Sequence, residues 1–337
     1  RKAMSAQRRF YGSHPDGAYW VKLADAAGKY DLIVVRYLRT AGLAGLTHAS
    51  RTPWLLDFDD VDWLKQSADQ PLCGSWRASL SKAMLRRSLE KRCRGLAAGA
   101  TGIWVPSSRE QFGIRPLQSS VLPNISMELL SRPQPLDEAS RRVLFVGHMK
   151  HRPNVEGVDW FIDHCWEQVR RAVPDAHFSI VGGGIPQEAA DRWPKVPGIR
   201  VCGFVNDLRE SYRDSKVAIC PIWTAGGSQI KVLEAMAHSR PVIVTPVVAR
   251  AFGHGFGGIL CGNDAAAFAH GVIRLLQDRE EALRLGRAAR CTVQTHYSFD
   301  AFNNIVAGLV RKACGAERAN ACLLRRTPAL APVGSRS

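Results

Sequence analysis

The chain has 337 residues, 46% of them hydrophobic, and a formal net charge of +16. That length leaves room for two domains, no apolar run approaches the roughly 20 residues of a membrane-spanning helix, and the charge asks for an anionic partner. The nine cysteines are odd in number, scattered and without a Cys-x-x-Cys pair, which argues against a disulfide framework or a zinc site and for a reducing compartment.

Residues 1–16 are basic and irregular, and no apolar stretch of a signal peptide follows them. A short helix is predicted near Ala18–Ala27. Strands are predicted at Asp31–Arg36, Trp54–Phe58, Ile103–Ser107 and Ser120–Leu122, with helices near Thr40–Ala49 and Trp76–Ala98 between them. This alternation makes a parallel sheet with crossover helices. The proline-containing stretch Ser131–Ser140 reads as a linker.

A second series follows, with strands at Val143–Val146, His177–Val181, Ile199–Cys202, Val217–Cys220, Val242–Thr245 and Ile259–Cys261. Helices are predicted near Val155–Arg171, Asp207–Asp214, Gln229–His238, Ala265–Gln277, Arg279–His296 and Phe299–Arg311. The pattern predicts a doubly wound domain. The domains read as 1–138, 139–298, a closing helix over 299–314 and a disordered tail over 315–337.

Positive charge concentrates in two places. Arg77–Arg94 carries seven Lys/Arg against one Glu, and residues 311–337 carry six against one. In the first, Leu80, Met84, Leu85 and Leu89 read as a buried face, and Lys82, Arg86, Arg87, Lys91 and Arg94 as the other side. That side is either a solvated surface or a contact for anionic lipid headgroups. No recognisable nucleic-acid module accompanies the charge.

The chemistry gathers after the strands of the second domain. In Ala225-Gly-Gly-Ser-Gln-Ile-Lys-Val-Leu-Glu-Ala-Met-Ala237, Gly226, Gly227 and Ser228 sit at a predicted helix N-terminus, where free N–H groups favour an anion. Lys231 and Glu234, three apart, share a helix face. The cation can neutralise a phosphate and the carboxylate can accept from two ribose hydroxyls; alternatively the two form a structural ion pair. Gly147, after the first strand, lets a phosphate or sugar approach the backbone. His148 reads as a loop histidine lining a cleft. Backbone groups of Cys202–Leu208 could read a base.

Phe145-Val-Gly…Arg-Pro-Asn154…Trp160-Phe, Pro174-Asp-Ala-His-Phe-Ser-Ile-Val-Gly182, Gly203-Phe-Val-Asn-Asp-Leu208 and Ile230-Lys-Val-Leu-Glu-Ala-Met-Ala237 together resemble the C-terminal domain of family-four (group 1) glycosyltransferases, especially those of exopolysaccharide and lipopolysaccharide biosynthesis. The likeness covers Arg142–Arg311 and, more weakly, Tyr30–Asn124. It implies a GT-B fold, two Rossmann-like domains facing across a cleft, with a nucleotide sugar between them and a glycan or lipid-linked acceptor. It further implies that Gly147 and Lys231 approach the donor diphosphate, that Glu234 holds the ribose, and that Phe204, Val205 and Leu208 face the base. Lys231 is then the catalytic residue, stabilising the leaving diphosphate with retention of configuration and no metal or other cofactor. The cysteine usage and the basic helix, in turn, are read as a cytoplasmic location with peripheral contact to an anionic membrane surface.

Two departures stand out. Relatives often carry a Glu eight positions before the one matching Glu234, and here that position is Gly226. The first convincing strand, Asp31–Arg36, resembles the middle of an N-terminal domain, so that domain is expected to be truncated at its start. A non-catalytic nucleotide-binding paralogue or fragment is the rival reading. Of other sites, Asp57-Phe-Asp59-Asp60 resembles an Asp-x-Asp metal motif, but the two-domain layout argues against it. His148 and His151 have no third metal ligand nearby. Gly182-Gly-Gly184 does not meet Gly-x-Gly-x-x-Gly, and no P-loop occurs. Arg36 and His48 are expected on the cleft side of the first domain.

Overall fold

The computed structural model describes residues 30–46, 50, 52–58, 76–125, 139–224, 229–252 and 257–314. The helix expected at Ala18–Ala27, most of the linker and the tail after Cys314 lie outside the described residues.

The first sheet holds β1 (Ile33–Arg36), β2 (Trp54–Asp57), β3 (Gly102–Val105) and β4 (Ser120–Val121), all parallel and side by side in chain order. Side chains alternate across it with a period of two. Trp54, Leu56, Ile103 and Val105 point to one face, where Ala41 of the helix Leu38–Leu43 and Cys93 and Ala97 of the helix Trp76–Ala97 meet them. Leu55, Trp104 and Leu122 point to the other face. That face is covered from the far end of the chain, by Phe302, Ile305, Val306, Leu309 and Val310 of the helix Phe299–Cys314. The closing helix therefore belongs to the packing of the first sheet.

The second sheet is β5 (Arg142–Val146), β6 (His177–Val181), β7 (Ile199–Gly203), β8 (Val217–Cys220), β9 (Val242–Val244) and β10 (Ile259–Cys261). All are parallel, in the order β10-β9-β8-β5-β6-β7. The chain builds outward from β5 to β7, returns, and builds the other way from β8, so the direction of winding reverses between β5 and β8. Helices on both faces make the central strands apolar throughout, as β8 shows: Val217, Ala218, Ile219 and Cys220 are all buried. The helices Ala265–Gln277 and Arg279–His296 start where predicted, because Asp264 and Asp278 cap them by accepting from Ala267 N (2.8 Å) and Glu281 N (2.9 Å).

Four expectations change. The single helix expected over Val155–Arg171 is Arg152–Phe161, a π turn at Ile162–Trp166, and Glu167–Ala172. There His164 Nδ1 donates to the Trp160 carbonyl (2.9 Å), taking an acceptor of the regular ladder. The helices Ser108–Gly113, Gln187–Arg192 and Pro246–Phe252 come in addition to those predicted; at two turns or fewer they show no usable period. Finally, Met84 is 65% exposed rather than buried. Cys93 points into the core, and Met84, nine residues earlier, lies half a turn around the helix from it. Arg94, expected on the open basic face, instead ties Glu90 (2.8 Å) to the carbonyls of Ile114 (2.7 Å) and Arg115 (2.6 Å).

Val310→Asp places an unpaired carboxylate against Leu55 and Trp104. It should destabilise the first sheet by about 3–5 kcal/mol. Hydrogen exchange on the full chain should show β2 and β3 losing protection while β5 and β6 keep theirs; equal loss in both sheets would mean that the helix does not pack selectively on the first.

Candidate active site

In an open parallel sheet, ligands bind beyond the carboxyl ends of the strands, where the winding reverses. Here that point lies between β5 and β8. The loop after β5 carries Gly147, His148 and Met149. After β8 the chain runs through Trp223, and the helix Ile230–Ala237 lies further on. Gly226, Gly227 and Ser228 lie outside the described residues.

Lys231, in the first turn of that helix, reaches back across the reversal. Its Nζ donates to Asn154 Oδ1 (2.6 Å) and to Gln229 Oε1 (3.2 Å), and lies 5.4 Å from the centre of the Phe145 ring. Lys231 is thus bonded to two amide oxygens. Asn154 is 4% exposed and its Nδ2 donates to the His148 carbonyl (2.8 Å). One side chain therefore anchors both the loop after β5 and the lysine after β8. Sequence reasoning assigns no role to Asn154 or Gln229; the signal available is Arg152-Pro-Asn at a helix start, and it carries no information on what lies opposite.

Glu234 is half-buried one turn further along the same helix. Beneath Lys231, Cys220 is fully buried, and burial pushes its thiol up while the lysine charge opposes this. It is a packing residue.

Gly147 is required by the protein's own atoms. A Cβ there would lie 2.9 Å from Asn154 Nδ2 and 3.0 Å from the Phe145 ring. Gly182, after β6, has φ +145°, and a Cβ on it would fall 1.8 Å from the Gly147 carbonyl oxygen. Gly147 N donates to the Val181 carbonyl (2.9 Å) and Met149 N to that of Gly183 (2.9 Å). The two loops are packed backbone to backbone. His148 stands exposed at their rim, its Nδ1 accepting from Lys150 N (3.2 Å).

The segment after β7 divides. Val205 and Leu208 pack against the core, whereas Phe204 is 75% exposed. A Cβ on Gly183 would lie 3.5 Å from that of Phe204, so this ring borders the glycine loop.

The first domain brings exposed Arg36 and half-buried Asp57 together at the carboxyl ends of β1 and β2, at 3.8 Å. Tyr37, next in the chain, has φ +67°, an unusual state for a bulky residue. Asp59, Asp60 and His48 lie outside the described residues. The helices Ser108–Gly113 and Pro246–Phe252, which follow β3 and β9, touch each other, so the carboxyl ends of both sheets meet at one junction.

Residues 140–278 match the family model described as Glycosyl transferases group 1. No curated protein matches the chain. Among solved structures it resembles sucrose-phosphate synthase from Thermosynechococcus elongatus (TM-score 0.65, 21% identity, 86% of this chain and 75% of that one). It also resembles TarM of S. aureus (0.65, 13%, 86% and 58%) and HepE of Anabaena in complex with UDP (0.64, 13%, 86% and 81%). The chain thus spans little more than half of TarM. These likenesses establish the fold as GT-B: two Rossmann-like α/β domains. The residues matched by that model contain the whole crevice of Gly147, Asn154, Gly182, Phe204 and Lys231.

Gly182→Ala tests how tightly the two loops of the second domain are joined. The clash and the disfavoured φ together should destabilise it by about 3 kcal/mol, read as a lowered denaturant midpoint. An unchanged midpoint would mean that the loops separate easily.

Proposed function

We propose that this chain transfers a sugar from a nucleoside-diphosphate sugar to a glycan or lipid-linked acceptor, with retention of configuration, in cell-surface polysaccharide synthesis. The observation that carries this reading is Lys231, held at the strand reversal by two uncharged amides, so that its charge stays available to a diphosphate. UDP occupies structures of HepE, with glucose in one of them, and of TarM, which makes UDP the first nucleotide to test.

In the reaction, the bond between the anomeric carbon and the diphosphate oxygen breaks, and an acceptor hydroxyl oxygen bonds to that carbon. The hydroxyl proton passes to the departing phosphate oxygen. Charge develops on the diphosphate, and a preorganised ammonium stabilises it there. Glu234 accepts from the ribose, Phe204 borders the base, and Gly147 and His148 line the donor. No metal is required, since the lysine and the backbone supply the positive potential. Membrane contact on the inner face of the cytoplasmic membrane runs through the basic helix, where Arg87, Lys91 and Arg92 are exposed.

Lys231→Ala should keep the fold and lower transfer roughly 10²–10³-fold. Unchanged turnover in the folded variant would remove Lys231 from the mechanism. Glu234→Gln should weaken UDP binding by about 1.5–3 kcal/mol, measured calorimetrically; equal affinities would reject the ribose contact. EDTA should leave both transfer and binding unchanged, and a loss restored by Mn²⁺ would point to Asp57 and its neighbours. Nucleotide binding without turnover, across acceptors, would favour the non-catalytic paralogue.

A further inference from the structure

A lysine ammonium carries three N–H donors and accepts nothing. At Lys231 two of the three go to Asn154 Oδ1 (2.6 Å) and Gln229 Oε1 (3.2 Å). At most one is left for a ligand. Both acceptors sit on fixed frames. Asn154 is 4% exposed, and its Nδ2 donates to the His148 carbonyl (2.8 Å). A carbonyl can only accept, so the Nδ2 end of that amide must face His148 and the Oδ1 end must face Lys231. The helix Arg152–Phe161 that carries it lies against the end of β8, where a Cβ on Gly157 would meet the Pro221 carbonyl oxygen at 2.6 Å. Gln229 is 9% exposed and directly precedes the helix of Lys231.

Two fixed acceptors stop an ammonium from turning about its Cε–Nζ bond, so the direction of the third N–H is set as well. A free ammonium attracts phosphates of any arrangement through its charge alone. A directed N–H has one place to deliver its bond. We propose that Asn154 and Gln229 are positioning residues, which aim the remaining N–H of Lys231 at an oxygen of the outer phosphate of a nucleoside diphosphate, the phosphate that bears the sugar. This rests on the transferase reading above, in which the departing oxygen belongs to that phosphate. The two amides thereby set a preference for a diphosphate over a monophosphate, a property that packing alone would not give them.

The test measures UDP and UMP binding to the full chain by calorimetry. The two ligands share base, ribose and inner phosphate, so the ratio of their affinities isolates the outer phosphate. The wild type should prefer UDP by about tenfold or more, as expected for one charged hydrogen bond, and Lys231→Ala should remove most of that preference. Gln229→Ala and Asn154→Ala should each lower it about three- to tenfold while UMP affinity changes less than about twofold, and neither should lower it further in a Lys231→Ala background. Asn154→Ala also removes the bond to His148; should it not fold, Gln229→Ala carries the test alone. A preference lost in Lys231→Ala but kept in the amide variants would overturn the positioning role and leave the transferase reading standing, as would amide variants that weaken UDP and UMP alike. A preference that survives Lys231→Ala would remove the lysine from the diphosphate and overturn both. If uridine nucleotides do not bind, GDP and GMP take their place, and binding of neither pair would count against the transferase reading itself.

Discussion

The hydrogen bond from Lys231 to Asn154 is the contact on which the crevice depends. It joins the helix after β8 to the helix after β5, the two elements that diverge where the winding reverses. Its chemistry matters as much as its position. Amide oxygens and an aromatic face can orient an ammonium without neutralising it. A carboxylate partner would have held the lysine equally well and cancelled the charge that a phosphate needs. Gln229 and Phe145 follow the same logic, so the site is preorganised and still cationic.

The glycines around it serve the frame first. Gly147 and Gly182 are small because the loops after β5 and β6 lie against each other, and Asn154 fills the space beside Gly147. Likewise, a Cβ on Gly157 would meet the Pro221 carbonyl oxygen at 2.6 Å, so the helix that carries Asn154 sits close on the end of β8. This closeness lets a four-carbon lysine stem span the gap. Ligand access and internal packing thus place the same demand on these positions, and the sequence does not distinguish them.

The two domains are coupled through the chain's far end. The helix Phe299–Cys314 follows the second domain in sequence but covers Leu55, Trp104 and Leu122 of the first sheet. Together with the contact between the helices Ser108–Gly113 and Pro246–Phe252, it links the two sheets on two sides. A fragment cut at the apparent domain boundary would keep that helix while stripping it of its partner, leaving its apolar face in water.

Much of this is legible in the amino-acid pattern. Ten strands stand close to where alternation and apolar runs place them, because period and burial are local properties of a strand between turns. The cap residues Asp264 and Asp278 mark two helix starts for the same reason. Lys231 and Glu234 share a helix face simply by being three apart. The rest depends on neighbours distant in sequence. That Lys231 binds Asn154, 77 residues away, is decided by which strands lie side by side, as is the burial of Trp104 beneath Val310. Met84 departs from its expected burial because a short window of a helix cannot say which side meets the sheet, and Cys93 and Ala97 decide it. The sequence by itself determined the elements and the residue types with chemistry to offer; strand order and helix docking alone decided which of them meet, because those contacts join positions that no local pattern relates.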